Sequence, residues 1–557
     1  IAGDLPEPLA TDQSPGDAPA SAFAKWRVAL LLVGIIALGM ALRIACFAGY
    51  QGYDDRHYIV HAKLFSERGQ PDVEHVTAWL GRTGVWLPMA LAIRVFGPNA
   101  FALTLYSLLC GLASLVLVYK LGRLVFDEKT ALLGTFFLAF FPLEVIYSTH
   151  PYADGPFGLF MVLTLYFFLL GERRGAKWCY LASGVAAGIA WLSKEPAVFL
   201  IFPFAILLLR TRTLKREYLL VLLGGALVVL GESAFWSTLV GDPMYRWTTI
   251  VSEYADTANA PAKQQAPTWQ ILLHLHQGGE RGTISLLEPL VMFATNQEFG
   301  LFYYFLWPLL GYLIYQRRRR ASELMIWTIG LALVVSYFPV GFPFPMVRIA
   351  RYFTCLSIPA MLLLAYGLMQ WRPVWRWGAI GILFASSAVC LYLDGSRHVR
   401  DNERELATFR NEHRDQRFWV DPRVFFHLQA LTGFPQDSQL GVHFFSRMQT
   451  SHAFANVKGL VPDVRTIEKP GGIRSGYVVI RTPPGEVDVE PLRERPGWRV
   501  VKRIPEERAP SFIGRTMRTF RIPQRYIDRL LSPGEGERLT VWQVRNVQSS
   551  RDVKDET

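Results

Sequence analysis

Charged side chains that could do chemistry stand beside long apolar runs at four places in this sequence. They are Asp54 and Asp55 in "YDDRHY", His150 and Asp154 in "HPYADGP", Lys194 and Glu195 in "SKEP", and Arg348 and Arg351 in "RIAR". Ionisable groups next to hydrocarbon are costly, so they usually mark a functional site and usually pair with one another. Their coincidence predicts such a site at one end of a bundle of apolar helices.

The carboxylates and the cations in this set suit different tasks. Partial desolvation raises the pKa of a carboxylate and therefore its strength as a base, which suits Asp54 to accept a proton. Lys194, Arg348 and Arg351 carry positive charge, and cationic side chains are suited to holding a phosphate group. The pattern therefore predicts proton transfer beside an anionic group.

A metal site and plain structural roles are also open at these positions. Asp54 and Asp154 could hold a divalent cation such as Mg²⁺ or Mn²⁺ through hard oxygen ligands, although carboxylates without a fixed spacing are a weak metal signal. The structural roles are the Asp pair as a helix cap, "YADGP" as a helix start, Lys194 as a snorkelling side chain, and the arginines as interface anchors.

Composition favours a membrane protein. Of the 557 residues, 51% are hydrophobic and only 19% are charged, so a soluble chain of this size would have trouble covering its apolar surface. The net charge of +12 fits the basic cytoplasmic loops of a polytopic membrane protein, so membrane lipids are expected partners and no nucleic acid is required. Five cysteines without a CxxC pair predict neither a disulfide framework nor a zinc site.

Apolar runs of about 20 residues predict a polytopic α-helical membrane domain of about eleven helices. The predicted spans lie near Trp26–Phe47, Ala100–Tyr119, Ala131–Tyr147, Phe157–Leu170, Trp178–Leu192, Ala197–Leu209, Tyr218–Leu239, Leu301–Tyr315, Leu324–Val340, Tyr352–Met369 and Trp375–Leu393. The run Val85–Phe96 contains Pro88 and Arg94, so it is predicted either as an interfacial helix or as part of an extra span.

Loop charges predict the orientation of these spans. With the N-terminus inside, every cytoplasmic loop is basic, as the positive-inside rule asks. Those loops contain Lys120, Arg123 and Lys129, then Arg173, Arg174 and Lys177, then Arg210, Arg212, Lys215 and Arg216, then Arg317 to Arg320, then Arg372 and Arg376. On this topology the candidate site residues all fall on the outer side of the membrane.

Composition shifts predict four segments. Residues 1–25 form a disordered cytoplasmic tail, residues 26–393 the membrane domain, residues 394–547 a soluble α/β domain on the outer side, and residues 548–557 a disordered tail. In the third segment, "GYVVIRT" and "WRVVKRI" alternate in the manner of strands, and "FFHLQALTG" is typical of a short helix.

Four stretches resemble the GT-C glycosyltransferases, in particular the bacterial branch related to protein O-mannosyltransferases and lipid A aminoarabinose transferases. "YDDRHY" is similar to the acidic motif in the first outer loop of that family. The other three are "FPLEVIYSTHPYADGPFGLFMVLTLYFFL", "GIAWLSKEPAVFLIFP" and "RIARYFTCLSIPAMLLLAYGL". The resemblance covers roughly Trp26 to Leu393. The family pair is commonly Asp-Glu, whereas this chain has Asp54 and Asp55.

The resemblance implies a GT-C fold in a bacterial cytoplasmic (inner) membrane. It implies inverting transfer of a sugar from a polyprenyl-phosphate-linked donor to a hydroxyl of a lipid, glycan or protein acceptor. The roles it implies are catalytic for Asp54, Asp55 and Asp154, donor phosphate binding for Lys194, Arg348 and Arg351, and acceptor or auxiliary contacts for His57, Tyr58, His150 and Glu195.

Two competing classes remain. A polytopic transporter or lipid flippase would also carry intramembrane charges, but it would place them near mid-helix around a central site. A membrane-anchored sensor or scaffold would need only one or two spans. The clustering of charges at one side favours the transferase.

Overall fold

The computed structural model describes residues 22–50, 54–71, 73, 79–211, 215–250, 293, 296–341, 350–392, 395–420, 424, 428, 442–444, 475–482, 498–504 and 538–544. These residues are mostly helical up to Glu412 and include short strands after it. The expected tails at residues 1–25 and 548–557 lie almost wholly outside the described residues, as does most of "FFHLQALTG".

The apolar runs form helices, since a helix satisfies its own backbone hydrogen bonds without water. The helices are α1 (Ala22–Ala45), α2 (Asp54–Arg68), α3 (Thr83–Phe96), α4 (Ala100–Val125), α5 (Glu128–Phe140), α6 (Pro142–Tyr147), α7 (Asp154–Arg174), α8 (Lys177–Ser193), α9 (Ile201–Thr211), α10 (Tyr218–Val240), α11 (Phe302–Tyr315), α12 (Ser322–Gly341), α13 (Thr354–Met369), α14 (Pro373–Tyr392) and α15 (Gly395–Glu412). Short 3₁₀ segments occupy Glu195–Leu200, Gln297–Phe299, Arg319–Ala321 and Ala350–Phe353.

Six of the described helices are long and apolar enough to cross a membrane, against about eleven predicted. They are Lys25–Ala45, Ala100–Val125, Asp154–Arg174, Tyr218–Val240, Ala350–Met369 and Pro373–Tyr392. The predicted span Ala131–Tyr147 is divided between α5 and α6, because Pro142 has no N–H to continue α5 and instead begins α6. The ambiguous run is the helix α3, whose 14 residues reach about 21 Å at 1.5 Å per residue, short of the bilayer core.

The helices differ in how deeply they are packed. Helix α13 is almost entirely buried, whereas α1 and α14 are mostly exposed. At the start of α14 the exposed side chains include Trp375 and Trp377, and Trp26 is exposed near the start of α1. Tryptophans at helix ends are typical of the membrane–water interface. The bundle thus surrounds α13, with α1 and α14 at its periphery.

Helices α8 and α10 cross at glycines. A Cβ added to Gly184 would lie 2.0 Å from the carbonyl oxygen of Val221, and one added to Gly224 would lie 2.3 Å from the carbonyl oxygen of Leu181. Only a residue without a side chain permits this approach of two backbones. The crossing fixes α10 beside the end of α8, from which Lys194 and Glu195 follow.

The described strands are β1 (Phe418–Val420), β2 (Val442–Phe444), β3 (Gly476–Thr482), β4 (Trp498–Ile504) and β5 (Arg538–Val544). They form one mixed sheet in the order β2-β1-β3-β5-β4, in which β1 is parallel to both neighbours and β5 is antiparallel to both. Strands β3 and β4 coincide with the two alternating segments of the sequence. Leu406 and Phe409 of α15 pack with Phe418 and Tyr477 of the sheet.

Candidate functional site

The candidate residues stand at the ends of helices. Asp54 begins α2 and Asp154 begins α7, where the positive end of the helix dipole favours a carboxylate. Lys194 follows the last residue of α8, and Arg351 lies in the 3₁₀ segment before α13. Because charge is costly inside an apolar helix, these four candidate residues lie where helices begin or end.

Four of the predicted residues form one row of alternating charge. Arg351 Nη2 contacts Asp54 Oδ2, and Arg351 Nε lies 3.6 Å from Asp154 Oδ2. Lys194 Nζ contacts the other oxygen of the same carboxylate, Asp154 Oδ1. The order Asp54, Arg351, Asp154, Lys194 joins parts of the chain that are about 300 residues apart, since Asp54 and Arg351 are separated by 297 positions.

The members of this row differ in their access to solvent. The side chains of Asp154 and Lys194 are 3% and 7% exposed, whereas that of Asp54 is 34% exposed. Aromatic rings screen the cations: Lys194 Nζ lies 4.1 Å from the centre of the Tyr352 ring, and Arg351 Cζ lies 4.5 Å from that of Tyr152. A reactant from water therefore meets Asp54 first and the buried cations behind it.

The Lys194 ammonium is held between two opposing influences. Burial lowers the pKa of Lys194, and the neighbouring Asp154 carboxylate raises it. The net shift in the pKa of Lys194 is downward because the desolvation is the larger effect. An anion that entered beside this ammonium would add a second counter-charge and favour its protonated form.

Hydrogen bonds join the residues that precede α2 to the residues that precede α7. Ala48 N donates to Thr149 Oγ1 at 3.1 Å, and Gly49 N donates to the Thr149 carbonyl at 3.1 Å. His150 Nδ1 lies 2.6 Å from the Gly49 carbonyl, which can only accept, so this nitrogen carries the proton. Burial lowers the pKa of His150 to about 4, and the ring is neutral at neutral pH. These bonds fasten the approach to Asp54 to the approach to Asp154.

Three other residues of the "YDDRHY" motif, Asp55, His57 and Tyr58, are buried. Asp55 is fully buried, and its Oδ1 accepts from the Arg56 backbone N–H at 3.1 Å. His57 stacks on Trp79 with 4.3 Å between ring centres, and burial lowers its pKa well below the usual value. Tyr58 is 1% exposed. His57 and Tyr58 thus attach α2 to Trp79 and Arg82.

Glu195 belongs to a second charged cluster that sequence reasoning did not predict. Arg82 Nη2 lies 2.8 Å from Glu195 Oε2, and Arg82 Nη1 donates to the Tyr58 hydroxyl at 2.7 Å. Arg246 Nη2 lies 3.9 Å from Glu195 Oε1, and Arg246 Nη1 lies 3.0 Å from Glu232 Oε1. Glu232, a carboxylate inside the apolar helix α10, was the available signal for this cluster.

The cation and metal predictions have different outcomes. Arg348 lies outside the described residues. In the part of the chain that the structure describes, no group of three His, Cys, Asp or Glu side chains is placed to hold a metal ion. Asp54 and Asp154, the predicted metal ligands, both contact cationic side chains instead. The arrangement suits an anion that would share Arg351 and Lys194 with these carboxylates.

One protein-family model matches a segment in the first half of the chain. Residues 84–236, which run from α3 to α10, match the model of the family described as dolichyl-phosphate-mannose-protein mannosyltransferase. The sequence resemblance to membrane glycosyltransferases is confirmed over this segment. Asp154, Lys194 and Glu195 lie inside it, whereas Asp54 and Arg351 lie outside.

A curated relative and two solved structures are also similar. An uncharacterized protein of Aquifex aeolicus (strain VF5) is 29% identical over 157 residues, which are 27% of this chain and 30% of that protein. The apo structure of ArnT from Cupriavidus metallidurans is 17% identical, covers 82% of this chain and 93% of its own, and has a TM-score of 0.47. The apo oligosaccharyltransferase of Archaeoglobus fulgidus is 14% identical, covers 83% and 70%, and has a TM-score of 0.48.

Proposed function

We propose that this protein is a membrane glycosyltransferase that moves a sugar from a polyprenyl-phosphate-linked donor to an acceptor hydroxyl. The observation that carries the proposal is the row Asp54, Arg351, Asp154, Lys194, which places an accessible carboxylate beside two buried cations. The mannosyltransferase-family match of residues 84–236 supports the same chemistry.

The proposed step is a direct displacement at the anomeric carbon. The oxygen of the acceptor hydroxyl forms a bond to that carbon, the bond from the carbon to the phosphate oxygen breaks, and the electron pair leaves with the polyprenyl phosphate. The acceptor proton passes to a carboxylate oxygen of Asp54. Attack opposite the leaving group inverts the anomeric configuration.

Arg351 and Lys194 are proposed to receive the phosphate of the donor. In the structure both contact carboxylates, so an arriving phosphate competes with Asp54 for Arg351 and with Asp154 for Lys194. The competition has a useful consequence. Donor binding releases Asp54 toward the acceptor, and the negative charge that grows on the leaving phosphate meets two desolvated cations.

The other predicted residues take supporting roles. Asp154 orients the two cations between which it lies. Asp55, His57 and Tyr58 hold the start of α2, and His150 holds the loop before α7. Arg348 is proposed as a further phosphate contact because it stands three residues before Arg351 in the sequence.

The proposed setting is a bacterial inner membrane with the site on its outer side. The basic loops support this orientation. Residues 26–393 then form the catalytic membrane domain, and residues 394–547 form a periplasmic or extracellular domain. The acceptor, whether a lipid, a glycan or a protein, meets the row from that side.

Donor binding and transfer by two variants test this function. Lys194→Ala and Arg351→Ala should each weaken binding of a polyprenyl-phosphate analogue in nanodiscs and slow transfer of a labelled sugar, since phosphate charge is present in the ground state and grows in the transition state. Arg173→Ala, which breaks an exposed pair with Glu323, is the matched control and should leave both unchanged. Movement of an intact sugar lipid across the bilayer without transfer would contradict the proposal and support a flippase.

A further inference from the structure

The Arg82 guanidinium donates hydrogen bonds to two side chains that are distant in the sequence, Glu195 and Tyr58. Its Nε lies 3.1 Å from each carboxylate oxygen of Glu195, and its Nη2 donates to Oε2 at 2.8 Å. Its Nη1 donates to the Tyr58 hydroxyl at 2.7 Å. Arg82 itself is 8% exposed and stands at the residue before α3. One planar group therefore joins α2 to the segment after α8.

Each of these partners is next to a member of the charged row. Glu195 directly follows Lys194, whose ammonium contacts Asp154. Tyr58 stands one helical turn after Asp54 on α2. Because Arg351 touches both Asp54 and Asp154, the contacts form a closed circuit that returns to Arg82. One side of this circuit consists of the ion pairs of Arg351 and Lys194, which phosphate would replace, and the opposite side consists of the contacts of Arg82 with Tyr58 and Glu195.

We propose that Arg82 is a positioning residue, which keeps the Lys194 ammonium and the Asp54 carboxylate at a fixed separation while the donor phosphate replaces their partners. The inference rests on the proposed function. When phosphate binds Arg351 and Lys194, the ion pairs Arg351–Asp54 and Lys194–Asp154 open. Arg82 then still joins α2 to the segment after α8.

Glu195 also lies near a second arginine, Arg246, which links it to α10. Arg246 lies 3.9 Å from Glu195 and 3.0 Å from Glu232, and Thr83 Oγ1 donates to Glu232 at 2.9 Å. The charged side chains of this cluster are at most 16% exposed, whereas Asp54 of the row is 34% exposed, so an arriving phosphate reaches the row more readily than the cluster. The cluster therefore stays assembled while phosphate replaces the contacts of the row.

The chemistry of arginine is essential to this role. The guanidinium is planar and directs its donors along fixed directions, so it can hold a carboxylate on one edge and a hydroxyl on another. A lysine at the same position keeps the charge but offers a single point on a flexible stem. Arg82→Lys should therefore keep the positive charge but no longer hold Glu195 and Tyr58 in a fixed geometry.

The test measures binding and single-turnover transfer separately. Arg82→Lys, Tyr58→Phe and the double variant are purified in nanodiscs with a polyprenyl-phosphate analogue and a labelled polyprenyl-phosphate sugar. Each single variant should slow transfer by a factor on the order of 10, with analogue affinity within about threefold of the parent. The double variant should be no slower than Arg82→Lys, because both changes cut the same link. Lys63→Met, which breaks an exposed pair with Glu67 on α2, is the control and should transfer at the parent rate.

Several outcomes would overturn the inference. Transfer at the parent rate by Arg82→Lys would remove Arg82 from any positioning role, and a lower thermal midpoint at that rate would assign it to stability alone. Loss of analogue affinity in step with rate would make Arg82 a phosphate ligand instead. If the fold-losses in transfer rate of Arg82→Lys and Tyr58→Phe multiplied in the double variant, the two residues would act independently and not through one link. Absence of transfer by the parent protein would contradict the proposed function itself.

Discussion

Replacing His150 with glutamine removes a titrating ring from the loop between α6 and α7 while keeping a donor for the Gly49 carbonyl. In the parent protein His150 Nδ1 lies 2.6 Å from that carbonyl, and the ring is buried beside Tyr147 and Tyr152. A glutamine amide can make the same bond and carries no charge at any accessible pH. The substitution therefore isolates the cost of protonating a buried imidazole.

The magnitude follows from the shift in pKa. Burial and the nearby Arg351 lower the pKa of His150 from 6.5 to about 4 in the folded state. Between these values the unfolded chain binds more protons, so the folded state loses stability as the pH falls from 6.5 toward 4. At 1.36 kcal/mol per pH unit, the loss reaches about 2 kcal/mol at pH 5 and is negligible at pH 7.5.

Unfolding in detergent at pH 7.5 and pH 5.0 measures this loss. The parent should be less stable at the lower pH, and His150→Gln should shrink the difference by about 2 kcal/mol, leaving the share of the other titrating groups, His57 among them. Thr149→Val is the control, because it removes a hydrogen bond of the same loop without a titrating group, and it should lower stability equally at both pH values. An unchanged pH difference in His150→Gln would refute the reasoning.

Two further predictions concern the helices. Gly184→Ala should destabilise the protein by about 2 kcal/mol or more, as an overpacking change at the crossing of α8 and α10, whereas Gly231→Ala has open space around its Cβ and should be neutral; equal thermal midpoints for the two variants would be inconsistent with that crossing. A reporter fused after Asp394 should be active as alkaline phosphatase and dark as a cytoplasm-dependent fluorophore, and the reverse pattern would invert the proposed orientation.

Sequence patterns located the charged row because each of its members ends an apolar run. Asp54, Asp154, Lys194 and Arg351 were all predicted on one side of the membrane from the charges of the loops, and the structure brings them into contact. Their pairing, with Arg351 between two carboxylates, could not be predicted, since it depends on how helices that are distant in sequence pack together.

The second cluster was missed for a different reason. Arg82 was not singled out in the sequence, and its partner Glu195 was expected as an acceptor or auxiliary contact. Glu232 inside α10 was the readable signal, because a charge in an apolar helix requires a partner. The division of the predicted span Ala131–Tyr147 into α5 and α6 was also missed, although Pro142 inside that run was a readable signal.

Single-turnover transfer by Asp54→Asn tests the central claim most directly. Asparagine keeps the shape and can still accept a hydrogen bond from Arg351, but it cannot take the acceptor proton at neutral pH. We predict parent-like folding and donor-analogue binding with a transfer rate lower by a factor of about 10² to 10⁴, whereas Glu67→Gln at the exposed end of α2 should leave the rate unchanged. Transfer by Asp54→Asn at the parent rate would contradict the assignment of the proton acceptor.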